Sequence, residues 1–261
     1  WDDAGRLNYD ELRDIVDIRY NSLGLPLSMR HGWGDLQTWD YDGLGRKISA
    51  SYTDVRSATT ERRRYYASGL VALNDTMELI RFPGGYFDRH LRAHYYVADY
   101  QGNNIAVFAH GKFSGPEQRT DYYPYGEPHS RPTATDFSAA GNRYLYSDKE
   151  YSDFGGESTL DFHARTLAPA GIPIFQTMDP LCGERPWESP YIYAGANPVM
   201  FTDPTGCKVE GDSTYYAYQA FLVSEYESTK GQMDYIQYNN FLNDQLKNIE
   251  QLRKSKQLYV V

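Results

Sequence analysis

The chain has 261 residues, of which 41% are hydrophobic and 23% charged, and a net charge of −9. That length can bury a core as one large β domain or two small domains. The composition excludes a disordered chain, no apolar run approaches the roughly 18 residues a membrane helix needs, and the acidic balance argues against broad nucleic-acid binding.

Tyrosine is the outlier, with 25 copies against 11 Phe. Its ring packs on a half-buried strand while its hydroxyl reaches water or a partner. The 22 Gly and 13 Pro supply many turns, so the composition predicts a mainly β chain.

The N-terminal part carries internal repeats. Asp3-Ala4-Gly5-Arg6-Leu7 is echoed by Asp42-Gly43-Leu44-Gly45-Arg46-Lys47, and Tyr20-Asn21-Ser22-Leu23-Gly24-Leu25-Pro26 between them reads as strand then turn. The spacing fits units of about 20 residues, each a strand, a turn and a strand. Arg62-Arg63-Arg64 reads as a charged strand edge that resists edge-to-edge pairing, with a local nucleic-acid patch as the alternative.

Further strands are predicted at 64–71, 78–82, 94–98 and 104–109. They are separated by Pro83-Gly84-Gly85 and Gln101-Gly102-Asn103-Asn104. This alternation predicts an antiparallel meander of hairpins. Residues 112–142 are loop-rich, with Pro116, Pro124, Pro128 and Pro132, and residues 160–205 have few long periodic runs.

After Gly206 the pattern becomes helical. Tyr215, Tyr218, Leu222 and Tyr226 share one helical face, behind a cap at Asp212 or Ser213. Lys230-Gly231 breaks that helix, and Tyr235, Tyr238, Leu242, Leu246, Ile249 and Leu252 mark a second one. The three resulting segments are 1–110 (β repeats), 111–206 (loop-rich) and 207–261 (a helical C-terminal module).

Cys182 and Cys207 leave open one disulfide in an exported chain or two unrelated thiols. His90 and His94 are four apart, but the segment does not read as a helix and no Glu follows His90, so the spacing is read as chance. No metal or cofactor site is predicted. There is no Gly-x-Ser-x-Gly elbow and no phosphate-binding loop. Residues 207–261 contain no His and nearly balanced charge, so that module reads as a helical packing element or a short effector that acts by binding. The chain starts at Trp1 without a basic-then-apolar leader and reads as a fragment or a mature piece.

One ordered series stands out. Asp121-Tyr122-Tyr123-Pro124-Tyr125-Gly126-Glu127 is followed by Tyr144-Leu145-Tyr146-Ser147-Asp148-Lys149-Glu150 and by Asp161-Phe162-His163-Ala164-Arg165. Then come Asp179-Pro180-Leu181, Ser189-Pro190-Tyr191-Ile192-Tyr193, Asn197-Pro198-Val199 and Asp203-Pro204-Thr205-Gly206. This series resembles the RHS-repeat-associated core segment of Bacteroidetes-type RHS/YD-repeat proteins, and the resemblance covers about residues 1–206.

The resemblance implies a partial β-shell: repeats that spiral into a hollow sheet, a core segment that closes one end, and a variable, often toxic, C-terminal module. It implies a secreted or surface location and a role in competition between bacterial cells, as in polymorphic toxins. The partners it implies are upstream repeats or a second chain covering the sheet edges, and an immunity protein for the module. In some members the core is an aspartyl-type autoprotease, which maps the catalytic candidates onto Asp179, Asp203 and Arg165, with release after about Gly206.

Two features depart from the cleaving pattern. Asp179-Pro180-Leu181-Cys182-Gly183 has an extra residue before Gly, and Cys207-Lys208 replaces the apolar residue that marks the cleavage point. Without cleavage, the motifs are turn elements in which Asp bonds the following backbone and Pro fixes φ, and Arg165 is a structural ion pair. A third reading is a surface adhesin that stacks sugars on Tyr95-Tyr96 and Trp187. If the shell reading holds, Tyr122, Tyr123, Tyr144, Tyr191 and Tyr193 should be largely buried.

Overall fold

A computed structural model describes residues 1–111, 115–129, 142–152 and 158–209. Residues Trp1–Glu210 form one unit, and the helices predicted after Gly206 fall outside the described residues. The fold is mainly β.

Eleven strands run in chain order across one antiparallel sheet. They are β1 (Ile15–Tyr20), β2 (Pro26–His31), β3 (Leu36–Tyr41), β4 (Lys47–Asp54), β5 (Thr59–Tyr65) and β6 (Leu70–Leu73), then β7 (Thr76–Phe82), β8 (Gly85–Asp88), β9 (Ala93–Ala98), β10 (Asn104–Ala109) and β11 (Gln118–Arg119). First and last strands do not pair, so the sheet is an open, partial shell wall. A second antiparallel sheet holds β12 (Glu150–Ser152), β13 (Thr159–Asp161), β14 (Thr166–Ala168) and β15 (Ile174–Phe175).

The repeated motifs fold into one five-residue turn. In each, the N–H of the first residue donates to the carbonyl of the fifth, and the N–H of the fourth donates back to the carbonyl of the first. Asp2–Arg6, Asn21–Leu25, Asp42–Arg46, Asp88–Arg92 and Asp99–Asn103 all do this. The first side chain completes the turn. Asp42 Oδ1 accepts the N–H of Leu44 and of Arg46, each at 2.9 Å, and Oδ2 accepts Arg46 Nε at 2.6 Å. Asp2 and Asp88 make the same pattern with Arg6 and Arg92. Asp-x-x-Gly-Arg therefore encodes a tight reversal, in which the carboxylate serves backbone donors that the hairpin leaves over.

The fourth position is left-handed. Gly24 has φ +78° with open space around it, and the matching residue of the Asp88 turn is Leu91, at φ +58°. The predicted strand 64–71 is in fact two strands. The Tyr66 to Leu70 turn interrupts it, with Gly69 in the left-handed position. No Asp opens this turn, which removes the cue that marks the others.

Strand alternation sorts the aromatics. Tyr86 and His94 point inward and stack at 4.6 Å, and Tyr86 packs with Val71, Leu79, Val107 and Tyr144. His94 Nε2 is 3.3 Å from Asp88 Oδ2, whereas the exposed His90 contacts Arg89, so the two histidines do not converge. Tyr95 is exposed and the neighbouring Tyr96 turns inward to Asn142, so the pair is not one stacking platform. Of the five tyrosines expected inside, Tyr144 and Tyr193 are buried and Tyr122 and Tyr191 half-buried. Tyr123 is exposed because it opens the turn that ends at Glu127.

Ion pairs join the two sheets and the segment that leads into the second. Arg143 donates to Glu78 at 2.7 Å, Arg81 to Asp148 at 2.6 Å, and Tyr65 Oη to Glu150 at 2.8 Å. Lys47 Nζ lies 2.7 Å from Glu150 and 2.6 Å from Asp161. Burial pulls the Lys47 ammonium down, but Asp161 and Glu150 outweigh it and hold its pKa well above the usual value.

Two outcomes test the turns. Leu91→Gly relieves a left-handed leucine and raises stability by about 0.5–1 kcal/mol, whereas Gly24→Ala costs about 1 kcal/mol, both read from urea midpoints. Burial pushes the Asp88 carboxyl up, but the Arg92 backbone and side chain, His94 and the His90 backbone hold it at about 2. A folded pKa below the unfolded one contributes stability that is complete above the unfolded value and lost as pH falls through the folded one. Asp88→Asn, which keeps the acceptor but not the charge, therefore lowers stability by about 1–2 kcal/mol at neutral pH and flattens its loss between about pH 4 and pH 2.

Candidate functional site around the two Asp-Pro motifs

Residues 142–206 pack around aromatics. Phe162, Phe175 and Tyr193 are fully buried and meet edge to face, with centroids 5.3–5.9 Å apart. Their short strands and turns bring three distant pieces of chain together: the turn after β13, the Asp179 turn after β15, and the Asp203 turn. Arg165, at the mouth of β14, stands at their centre.

The Arg165 guanidinium uses all three nitrogens. Nη2 donates to Asp179 Oδ2 at 3.1 Å and to Asp203 Oδ2 at 3.0 Å, Nη1 to the Pro190 carbonyl at 3.0 Å, and Nε to the Gly206 carbonyl. Its carbon sits 3.7 Å from the centre of the Phe175 ring. Arg165, Asp179 and Asp203 are buried, Asp203 with no exposure at all. Burial pulls the Arg165 pKa down, and the two carboxylates oppose that.

The three residues singled out from the sequence thus meet at one point. A single guanidinium nitrogen of Arg165 binds both carboxylates, and Arg185 supplies a second cation to Asp179.

The remaining carboxylate oxygens serve backbone. Asp179 Oδ1 accepts the Leu181 N–H at 2.8 Å, the Asx turn expected of Asp-Pro. The extra residue of the first motif is absorbed by a short 3-10 turn at Cys182–Glu184, with the Cys182 N–H donating to the Asp179 carbonyl. Asp203 Oδ1 reaches further and accepts the N–H of Cys207 and of Lys208, each at 3.0 Å.

The Gly206–Cys207 peptide is therefore held at both ends, with its carbonyl on Arg165 Nε and its N–H on Asp203. Gly206 has φ +75°, and an added Cβ would lie 3.1 Å from the Arg165 nitrogen and from Phe162, so only glycine lets this peptide lie so close. Burial pushes the Cys207 thiol up, Asp179 and Asp203 add to that while Arg165 opposes it, and the thiol stays protonated. Both cysteines are free.

Sequence reasoning did not single out Arg185. Its Nη2 donates to Asp179 Oδ2 at 2.8 Å and its Nη1 lies 3.3 Å from Glu188. The available signal was a cation six residues after the first Asp, with a carboxylate three residues further on. Trp1 and Gly5 also reach this segment, through the Tyr191 ring and hydroxyl.

Arg165→Ala leaves the buried Asp203 without its cation and Asp179 with Arg185 alone, and costs about 3–5 kcal/mol by urea unfolding. Asp203→Asn keeps an oxygen acceptor for Cys207 and Lys208 and costs about 1–3 kcal/mol.

The sequence matches no protein-family model and no curated protein. Solved structures do match. A crystal structure of TcdB2-TccC3 is 18% identical with a TM-score of 0.58, covering 74% of this chain and 10% of that one. TcdB2-TccC3 without its hypervariable C-terminal region gives the same values. The Photorhabdus luminescens Tc holotoxin pore, carrying an Asp-to-Ala mutation in TccC3, is 17% identical with a TM-score of 0.61, covering 80% of this chain and 11% of that one. The chain spans about a tenth of the length of these structures. At such identity the likeness is one of fold, and it supports at a coarse level the RHS-like β fold that the motifs suggest.

Proposed function

We propose that this chain is the terminal part of an RHS-type shell in an exported toxin-like protein. Residues 111–206 would close one end, and residues 207–261 would be the module presented beyond it. The carrying observation is the clamp on the Gly206–Cys207 peptide, which anchors the point where that module begins. The shared fold with Tc toxin structures supports a toxin-associated shell, and the unpaired edges of the main sheet are where upstream repeats or a second chain would add. Among the described residues no helix is long and apolar enough to cross a membrane.

A second reading, self-cleavage after Gly206, has its own support. The peptide carbonyl faces a cationic donor, which favours a developing oxyanion, and its nitrogen faces Asp203. Asp179 or Asp203 would have to give up Arg165 to activate water or protonate the leaving amine.

Hydrogen exchange and intact mass separate the two. Closure predicts one full-length species, with the Cys207 and Lys208 amides protected and that protection lost in Asp203→Ala, which removes their acceptor. Cleavage predicts a fragment beginning at Cys207 that disappears in the same variant. Unprotected amides in an uncleaved chain would defeat both readings.

A further inference from the structure

Glu150 and Asp161 face each other as register partners of β12 and β13. Like charges directly opposite repel, and here Lys47 from β4 enters between them. Its Nζ is 2.6 Å from Asp161 Oδ2 and 2.7 Å from Glu150 Oε2. The Lys47, Glu150 and Asp161 side chains are 14%, 12% and 29% exposed. The ion pairs Arg143–Glu78 and Arg81–Asp148 use arginine, which keeps its proton and is no nucleophile. A lysine that loses its proton is one.

The surroundings distinguish the two carboxylates. Glu150 is fixed through its other oxygen, which accepts Tyr65 Oη at 2.8 Å and lies 3.6 Å from Arg143 Nη2. Those donors hold it as an anion. The other oxygen of Asp161 accepts the His163 backbone N–H at 2.8 Å, a fixed donor on the atom that would carry an oxyanion. Nucleophile, carbonyl carbon, oxyanion donor and proton relay are thus within reach of one another, the arrangement acyl transfer needs. A cavity of about 270 Å³ lined by Tyr41, Tyr65 and Tyr151 adjoins the three side chains and can receive a released water.

We propose that Lys47 and Asp161 condense into an intramolecular isopeptide bond that joins the eleven-stranded sheet to the four-stranded one, with Glu150 as the proton relay. The ammonium first passes a proton to Asp161 Oδ2, giving an amine beside a carboxylic acid. The exchange runs against the pairing that holds the Lys47 proton, and burial lowers its cost because two charges vanish together. The amine lone pair attacks Asp161 Cγ, and a second proton travels from nitrogen through Glu150 to the same oxygen. The Cγ–Oδ2 bond then breaks and water leaves. Glu150 ends as it began, nothing is oxidised or reduced, and no co-reactant is consumed.

The test is mass spectrometry of the purified full chain, intact under denaturing conditions and after digestion. The expected result is a species lighter by one water and a branched peptide joining Lys47 to Asp161. In Glu150→Gln, with an unchanged circular dichroism spectrum, the branched peptide is lost and the full mass returns. A wild-type chain of full mass with an unmodified Lys47 overturns the proposal, as does a branch from Lys47 to Glu150. The wild-type digest decides this even if the variant does not fold. Cleavage after Gly206 would leave both residues in one piece, so the two questions stay separate.

Discussion

A hairpin reversed in five residues leaves backbone N–H groups pointing at no strand, and some acceptor must be found for them. In this chain a single carboxylate or amide oxygen takes two of them, as at Asp2, Asn21, Asp42, Asp88 and Asp99. That interaction fixes the length of these five turns, which fixes the register of the strand that follows each. Because side chains alternate with period two, a fixed register also decides which residues face inward. The inward stack of Tyr86 on His94, on the two strands that the Asp88 turn joins, follows from it.

The inner face is not purely apolar. Glu78, Lys47 and Arg81 point toward residues 142–161 and meet Arg143, Glu150, Asp161 and Asp148 there, and Arg63 pairs with Glu78. Buried charge of this kind tolerates few arrangements, since every displaced partner leaves an uncompensated ion. The same logic governs the Asp-Pro site, where one arginine satisfies two carboxylates and two carbonyls. Apolar packing gives both regions their cohesion, and ionic pairing gives them a defined geometry.

The sheet was legible because its turn chemistry is written in short motifs. Asp-x-x-Gly-Arg announces a reversal without any knowledge of the fold, and the turn at Tyr66, which lacks the Asp, was missed for that reason. The meeting of Asp179, Asp203 and Arg165 was anticipated through an ordered series of motifs rather than through spacing. Arg185 escaped notice because its role depends on where a 3-10 turn places it. Lys47, Glu150 and Asp161 could not be linked from the sequence at all, since 103 and 114 residues separate the lysine from its partners and no local pattern records such a contact.

The strict chain order of the eleven strands bears on how the molecule assembles. Every strand pairs with its immediate sequence neighbours, so the wall has low contact order and can grow one hairpin at a time as chain becomes available. Several contacts of residues 142–206 are the opposite, spanning 65 residues between Glu78 and Arg143 and 186 between Tyr191 and Gly5. Their loop-closure entropy is best met once the wall already holds those ends near each other. The order of synthesis and the order of folding then coincide, with the wall first and the contacts that span it last.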